Sequence, residues 1–429
     1  MLVIASATDS LLPNDQHDPP RIAIELMASG PKIPTDALFV SRRFAIRLGL
    51  FYAAVFALMG VHLPFFPVWL QAVGVSPAWI GLIVAVPSLT RFTILPFITG
   101  LAERRGSLRQ ALIITALLTA IGFAVIGLFH APVVILILFA LTACAWTPIL
   151  PLTDAYALQG VARYGLNYGP LRLWGSAAFV MGTLGCGILA DHLAATHLIW
   201  VMAGLAIFGA AAGFVLQPLE VRDVAIAART GAKHLLRQPA FVAVVAAAAL
   251  IQGSHAAYYG FASIAWQASG LGSATIAGLW TLGVLAEIAI FALSPRFGAS
   301  PALLMGIGGM CAVLRWLVMA QTPSLPVLAA VQLLHGATYG LTLLGTMGLL
   351  VRIVPTHVMA SAQGYLAAAS GIVMSGASIV TGTMYARLGA DIYGVMALMA
   401  AGGVVVVWLA RRSLARDAEG QPQSAASGG

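Results

Sequence analysis

Charge is what this sequence most lacks. Of 429 residues, 22 are Lys or Arg and 14 are Asp or Glu, 8% in all, against about 25% in an average soluble domain. Apolar residues make up 60%, and so thin a charged surface could not shield them in water. A soluble enzyme and a disordered chain are both excluded. Cysteine is nearly missing: Cys144, Cys186 and Cys311 sit inside apolar blocks without CxxC spacing, so they indicate neither a redox compartment nor a metal site. No two histidines have metal-ligand spacing, and there is no nucleophile–base pair or phosphate loop. The chain is therefore expected not to be an enzyme, to use no cofactor or metal, and not to draw energy from ATP. The apolar/polar alternation of a membrane β-barrel is missing too.

What is present is a series of apolar blocks of about 20 residues, the length that crosses a bilayer core as a helix. Twelve can be placed: 48–70, 79–101, 112–129, 133–158, 171–190, 198–216, 242–266, 275–294, 303–320, 325–350, 361–388 and 393–410. Several contain Pro or Gly, which membrane helices tolerate. The fold class is an all-α membrane protein.

The basic residues set the orientation. Loops with Arg104, Arg105, Arg109, Arg163, Arg222, Arg229, Lys233, Arg237, Arg296 and Arg352 share one side with Arg42, Arg43, Arg411, Arg412 and Arg416. The opposite side carries Arg387 alone. Both termini are thus expected in the cytoplasm. This asymmetry explains the net charge of +8 without nucleic acid. Residues 1–42 read as a disordered tail without a signal peptide, with Met27 an alternative start, and 413–429 as a second tail.

The longest internal connection, 218–240, divides the spans into a bundle at 43–217 and another at 241–412. Trp69 is followed by Gly81-Leu82, and Trp266 by Gly278-Leu279, at a constant offset of 197. The offset also brings Arg91 within one residue of the counterpart of Glu287. Two duplicated six-helix bundles around a mid-membrane site are a transporter plan.

GLAERRG, after the second span, resembles the cytoplasmic loop motif G-x-L-A-D-R-x-G of the major facilitator superfamily. Thr99 stands for its first Gly and Glu103 for its Asp, while Arg104 and Gly106 match. LPFFPVWL, PLTDAYA, YGPLRLWGSAAF and QGSHAAYYGFASIAWQASG resemble the phenylpropionic acid transporter family, and more remotely lactose permease. The resemblance covers about residues 43–412. It implies a proton-coupled symporter, monomeric in the lipid bilayer, that imports a small aromatic monocarboxylate; Glu103 and Arg104 would serve conformational cycling. A sugar or nucleoside symporter is the alternative, and a non-transporting sensor a more distant one.

Five charges fall within spans: Arg91, Asp154, Arg172, Glu287 and Arg315. Each costs about 2.5–3.5 kcal/mol at helix centre, so each must be paired, face water or act. Asp154 and Arg172 are 18 residues apart, with a turn expected near Arg163, so a helical hairpin brings them level. They read either as a stitch between helices or as a ligand-binding pair. Lactose permease has an acid and an Arg at this spacing, both on the sugar, and an aromatic residue at the position of Phe179. An Arg fork with a ring two turns away suits a ligand with one anionic and one aromatic end. Glu287 reads as a proton carrier, or as the permanent partner of Arg315 or Arg91. Arg315 and His335 match the Arg and His of lactose permease, whose coupling Glu is Thr338 here. Arg91 is either a second carboxylate anchor or a partner for span 11.

Gln252, His255 and Tyr259 share one face of span 7 and are expected to line the cavity. His62 and His335 are packing or ligand residues. Phe65, Phe66, Trp69, Trp79, Tyr258 and Trp266 read mostly as an interfacial belt, and Gly336 with Gly340 as a close-packing GxxxG.

Overall fold

The computed structural model describes residues 35–104, 107–219, 233–355 and 358–419. The chain forms two compact units, 1–43 and 44–429. Of the first, residues 35–43 are described, as the opening turns of α1 (Thr35–Ala72).

Helices α2 (Pro77–Thr93), α3 (Leu95–Arg104), α4 (Leu108–Ile126), α5 (Pro132–Trp146), α6 (Ile149–Tyr164), α7 (Tyr168–Ala190) and α8 (Leu198–Val215) complete the first half. The second half holds α9 (Pro239–Gly253), α10 (Ala256–Ala268), α11 (Ser273–Leu293), α12 (Pro301–Ala320), α13 (Leu325–His335), α14 (Thr342–Ile353), α15 (Met359–Leu388) and α16 (Ile392–Glu419). Among the described residues ten segments are long and apolar enough to cross a membrane, and the bent pair α2–α3 makes eleven. The last of the ten, Met359–Arg411, has 53 residues, or roughly 80 Å of helix, far more than a bilayer core. It turns back through Gly389–Asp391, where Gly389 has φ +53°, and so contains two spans. The described residues thus hold twelve spans.

Four spans are broken, each for a local reason. Between α2 and α3 the chain bends by 46° at Pro96, which cannot donate to Phe92 and crowds its carbonyl. Pro148 separates α5 from α6 in the same way. Between α9 and α10 the ladder slips at Ser254 and His255, where the His255 N–H donates to the Gln252 carbonyl three residues back at 3.1 Å. The Ser254 hydroxyl donates to the Ile251 carbonyl at 2.6 Å and accepts from Trp316 Nε1 at 2.9 Å. Span 10 has a π-helical stretch, Gly336–Leu341, between α13 and α14, a feature frequent at functional sites.

Two apolar cores match the two halves. One is built around Phe51, Phe123 and Phe139, the other around Phe241, Trp316 and Met396. The aromatic belt is corrected here. Phe65, Phe66 and Trp69 are wholly buried, and Tyr258 and Trp266 nearly so. Trp69 Nε1 donates to the Thr196 carbonyl, which holds it inside the bundle. The GxxxG glycines do mark close packing: a β-carbon on Gly336 would come within 2.5 Å of the Ala286 carbonyl.

The halves meet along two seams. α2 packs on α15, where a β-carbon on Gly81 would lie 2.6 Å from Gly382 Cα, and the Ser375 hydroxyl donates to the Ala85 carbonyl. α7 packs on α11, with Gly187 against Ser273 and Ala277.

Candidate functional site

The Asp154–Arg172 pair exists, with a geometry different from the expected one. The turn runs from Gly165 to Asn167, later than Arg163. Asp154 therefore lies about 15 Å from the end of α6, and Arg172 about 6 Å from the start of α7. The long arginine side chain closes the gap, with Nε 3.7 Å from Asp154 Oδ1. The same Oδ1 accepts from the Tyr52 hydroxyl at 2.6 Å and the Tyr168 hydroxyl at 3.0 Å. The Asp154 and Arg172 side chains remain 34% and 30% exposed.

The ring against Arg172 is Phe56, whose centroid is 4.2 Å from the guanidinium carbon, with Tyr52 at 5.8 Å. Phe179 lies buried in the first core. Seven residues separate it from Arg172, about 10 Å along the axis, so α1 supplies the nearer ring. Tyr52, Phe56 and Tyr168 were not foreseen from sequence. The run Y-x-x-x-F places Tyr52 and Phe56 on one face of α1, but nothing local reveals that this face meets Arg172.

In the second half, Arg315 is wholly buried. Its Nη1 donates to His335 Nδ1 at 2.9 Å and its Nη2 to Gln332 Oε1 at 2.7 Å. Tyr258 and Trp316 cover the guanidinium, with centroids at 4.4 and 4.7 Å. Arg315 cannot accept a hydrogen bond, so His335 Nδ1 accepts and the neutral ring carries its proton on Nε2. That nitrogen lies 3.9 Å from Glu287 Oε2. A direct ion pair of Glu287 with Arg315 is thus not the arrangement: His335 stands between them. Gly336 brings the two helices close enough for this contact, because its bare Cα sits against the backbone of Ala286 and Glu287. Glu287 is 26% exposed.

His255 is a correction. It is wholly buried, its Nδ1 faces the Ile251 and Gln252 carbonyls at 3.2 Å each, and its Nε2 meets Thr338 Oγ1 at 3.1 Å. Both ring nitrogens are engaged by protein, so His255 supports the helix break and offers no free edge to a ligand. His255 and Tyr259 keep a common face across the break, since the Tyr259 N–H donates to the His255 carbonyl at 3.0 Å and the two rings stack. Gln252 and Tyr259 stay half-buried, and Tyr259 stacks between His255 and Trp280. His335 is buried, with Tyr339 stacked on it. His62 lies in an aromatic box of Phe66, Phe123, Phe139 and Trp146.

Arg91 is exposed at the end of α2 and makes no ion pair among the described residues. It lies within electrostatic reach of the Tyr339 hydroxyl, as does Glu287. Glu103 and Arg104 close α3, and their side chains lie outside the described part of the chain, as do Arg105 and Gly106.

Comparison with known proteins agrees with this architecture. The model of the MFS_1 like family matches residues 45–396. The chain is 34% identical over 362 residues to the probable 3-phenylpropionic acid transporter of Escherichia coli (strain K12), covering 82% of this chain and 94% of that protein. It is 28% identical over 336 residues to the maltose permease of Geobacillus stearothermophilus, with coverages of 75% and 83%. Among solved structures, the nucleoside transporter NupG superposes with a TM-score of 0.71 at 18% identity, over 87% of this chain and 99% of that one. A bacterial homologue of the human lysosomal transporter Spinster does so with a TM-score of 0.68 at 15% identity, over 87% and 97%.

Proposed function

The chain belongs to the MFS_1 like family, within the phenylpropionic acid transporters of the major facilitator superfamily, and from that premise we propose that it is a proton-coupled symporter importing a small aromatic monocarboxylate of the phenylpropionate kind. It is a multi-pass membrane transporter and not an enzyme, like the relatives and fold neighbours just described. Its place is the bacterial inner membrane, as a monomer with both termini in the cytoplasm and the connection 218–240 joining bundles 43–217 and 241–412.

The observation that carries the substrate reading is the uncommitted edge of Arg172. Asp154 approaches only Nε, and at 3.7 Å. The flat face of the guanidinium lies over Phe56. Its two Nη atoms form no hydrogen bond among the described residues. A guanidinium held this way presents a planar fork to a carboxylate, beside aromatic rings for the rest of the ligand. Arg91 is the second candidate anchor, with Gln252 and Tyr259 lining the approach. A hydroxyl-rich ligand, a sugar or nucleoside, is the competing reading. It draws on Asp154 Oδ2, which takes no hydrogen bond among the described residues and could accept one from a hydroxyl.

The proton would ride on Glu287. Ionised, its carboxylate faces the Nε2–H of His335 and, through the ring, the buried cation Arg315. Protonated, it withdraws that counter-charge, so the polar packing of α11 against α13 changes with the load. A gradient does work only through a group that binds a proton on one side and releases it on the other. Glu103 and Arg104 would serve the conformational cycle from the cytoplasmic end of α3.

Competition separates the substrate readings. Phenylpropionate should displace a radiolabelled aromatic acid, and its uncharged amide should not. Equal displacement by acid and amide, or displacement by a sugar, would overturn the anion site.

A further inference from the structure

We propose that Asp191 is a positioning residue of the transport cycle, a latch that holds the outer ends of the two halves together. Asp191 follows the last residue of α7. Its carboxylate does not serve its own helix. Oδ1 accepts from the backbone N–H of Ser273 at 2.7 Å, and Oδ2 from that of Ala274 at 3.2 Å. These are the first two residues of α11, in the other half of the molecule.

Helix α11 needs this help. The first four N–H groups of a helix have no partner within it, and a polar side chain at the N-cap normally takes one of them. Here the N-cap is Gly272, which has no side chain to offer. The missing cap is supplied in trans, by a carboxylate placed at the positive end of the helix dipole. Below it the α7–α11 seam is made of Gly187 against Ser273 and Ala277, and the α2–α15 seam of Gly81 and Gly382. Such small-residue surfaces pack closely but say little about register. The two hydrogen bonds that Asp191 accepts fix it.

The latch is built to break. Asp191 is exposed, so water can satisfy both the carboxylate and the two N–H groups once the ends part. Its loss should be worth about what a helix cap is worth, an equilibrium change of roughly 2- to 30-fold. Calling this end the outer one rests on the orientation proposed above. The opening of the α7–α11 end can be read without knowing which side it faces.

The test is a distance measurement on the full chain in nanodiscs. Nitroxides are placed at His192→Cys and Ser269→Cys, both exposed, with Cys144, Cys186 and Cys311 replaced by alanine. Asp191→Ala should raise the ratio of long to short distances by about 2- to 30-fold. Asp191→Asn, which keeps one acceptor oxygen but loses the second and the charge, should fall between the parent and Asp191→Ala. Ser273→Pro attacks the same contact from the other side. Proline is tolerated at the first helical position, Gly272 at φ −67° and ψ 155° suits the residue before a proline, and the N–H is lost. Ser273→Pro removes one of the two bonds that Asp191→Ala removes, so the double variant should open no further than Asp191→Ala. Unchanged distances in Asp191→Ala, or additive effects of Asp191→Ala and Ser273→Pro, would overturn the proposal. If Asp191→Ala does not fold, unchanged distances in Ser273→Pro alone would do so.

Discussion

Replacing Asp154 by Asn pits the carboxylate-anchor reading of Arg172 against its rivals, because they predict opposite signs. Breaking a fully buried ion pair costs about 3–5 kcal/mol. Here both side chains are about one-third exposed and the contact is 3.7 Å long, closer to a surface pair worth about 0–1 kcal/mol. The Asn oxygen can still accept from Tyr52 and Tyr168, now without charge assistance. Together these losses amount to about 1–2 kcal/mol, and the protein should fold. Asp154→Asn also removes an anion beside the site where a substrate carboxylate would bind. At about 5 Å in partly aqueous surroundings, lifting that repulsion is worth roughly 1 kcal/mol, so affinity for phenylpropionate should rise about 5-fold. Arg172→Gln should instead reduce binding by at least about 10-fold, a charge-assisted hydrogen bond being worth about 1.5–3 kcal/mol. Calorimetric titration of purified variants, with thermal unfolding measured alongside, reads both quantities. Loss of binding in Asp154→Asn with an unchanged melting temperature would refute the anion anchor and favour a hydroxyl ligand. A large fall in stability in both variants would make the pair a stitch.

Glu287→Gln mimics the protonated carrier, so substrate exchange across proteoliposomes should persist while gradient-driven uptake disappears; a parallel fall in both, with poor expression, would assign Glu287 a structural role. His255→Ala takes one contact each from Thr338 Oγ1 and the Ile251 carbonyl, which keep their bonds to the His335 carbonyl and the Ser254 hydroxyl, and empties a buried site, so thermal stability should drop by about 1–3 kcal/mol with ligand affinity unchanged; a selective loss of affinity would return His255 to the binding site. Gly336→Ala drives a β-carbon into the Ala286 carbonyl, an overpacking of about 1–3 kcal/mol, and should impair coupling more than binding by displacing Glu287; a normal melting temperature and normal uphill uptake would contradict this.

The spans were legible because a run of 20 apolar residues is a local signal that the bilayer imposes. The partnership of Asp154 with Arg172 was legible because one hairpin joins them; that His335 stands between Arg315 and Glu287 was not, because the three lie on different spans. Contacts made across the chain were not. Tyr52 reaches Asp154 over 102 residues, and nothing near α1 indicates which helix its polar face meets. Phe65 and Trp69 carry the composition of an interfacial belt and are buried, because aromatic content is shared by belts and bundle cores. Periodicity placed His255 beside Tyr259, where the two rings stack, but nothing local shows that the Ile251 and Gln252 carbonyls and Thr338 occupy both ring nitrogens. Asp191, in a loop outside the spans, carried no signal that a helix in the other half lacked a cap.

The central claim, an aromatic anion moved by a proton gradient, is tested most directly in proteoliposomes with an alkaline interior. Phenylpropionate is a weak acid that crosses lipid unaided in its neutral form, so initial rates must be compared with protein-free liposomes at the same gradient. Uptake well above that background, abolished by collapsing the gradient and in Glu287→Gln, is the predicted result. Uptake that equals the background, or that continues unchanged in the protein-dependent part once the gradient is collapsed, would contradict it.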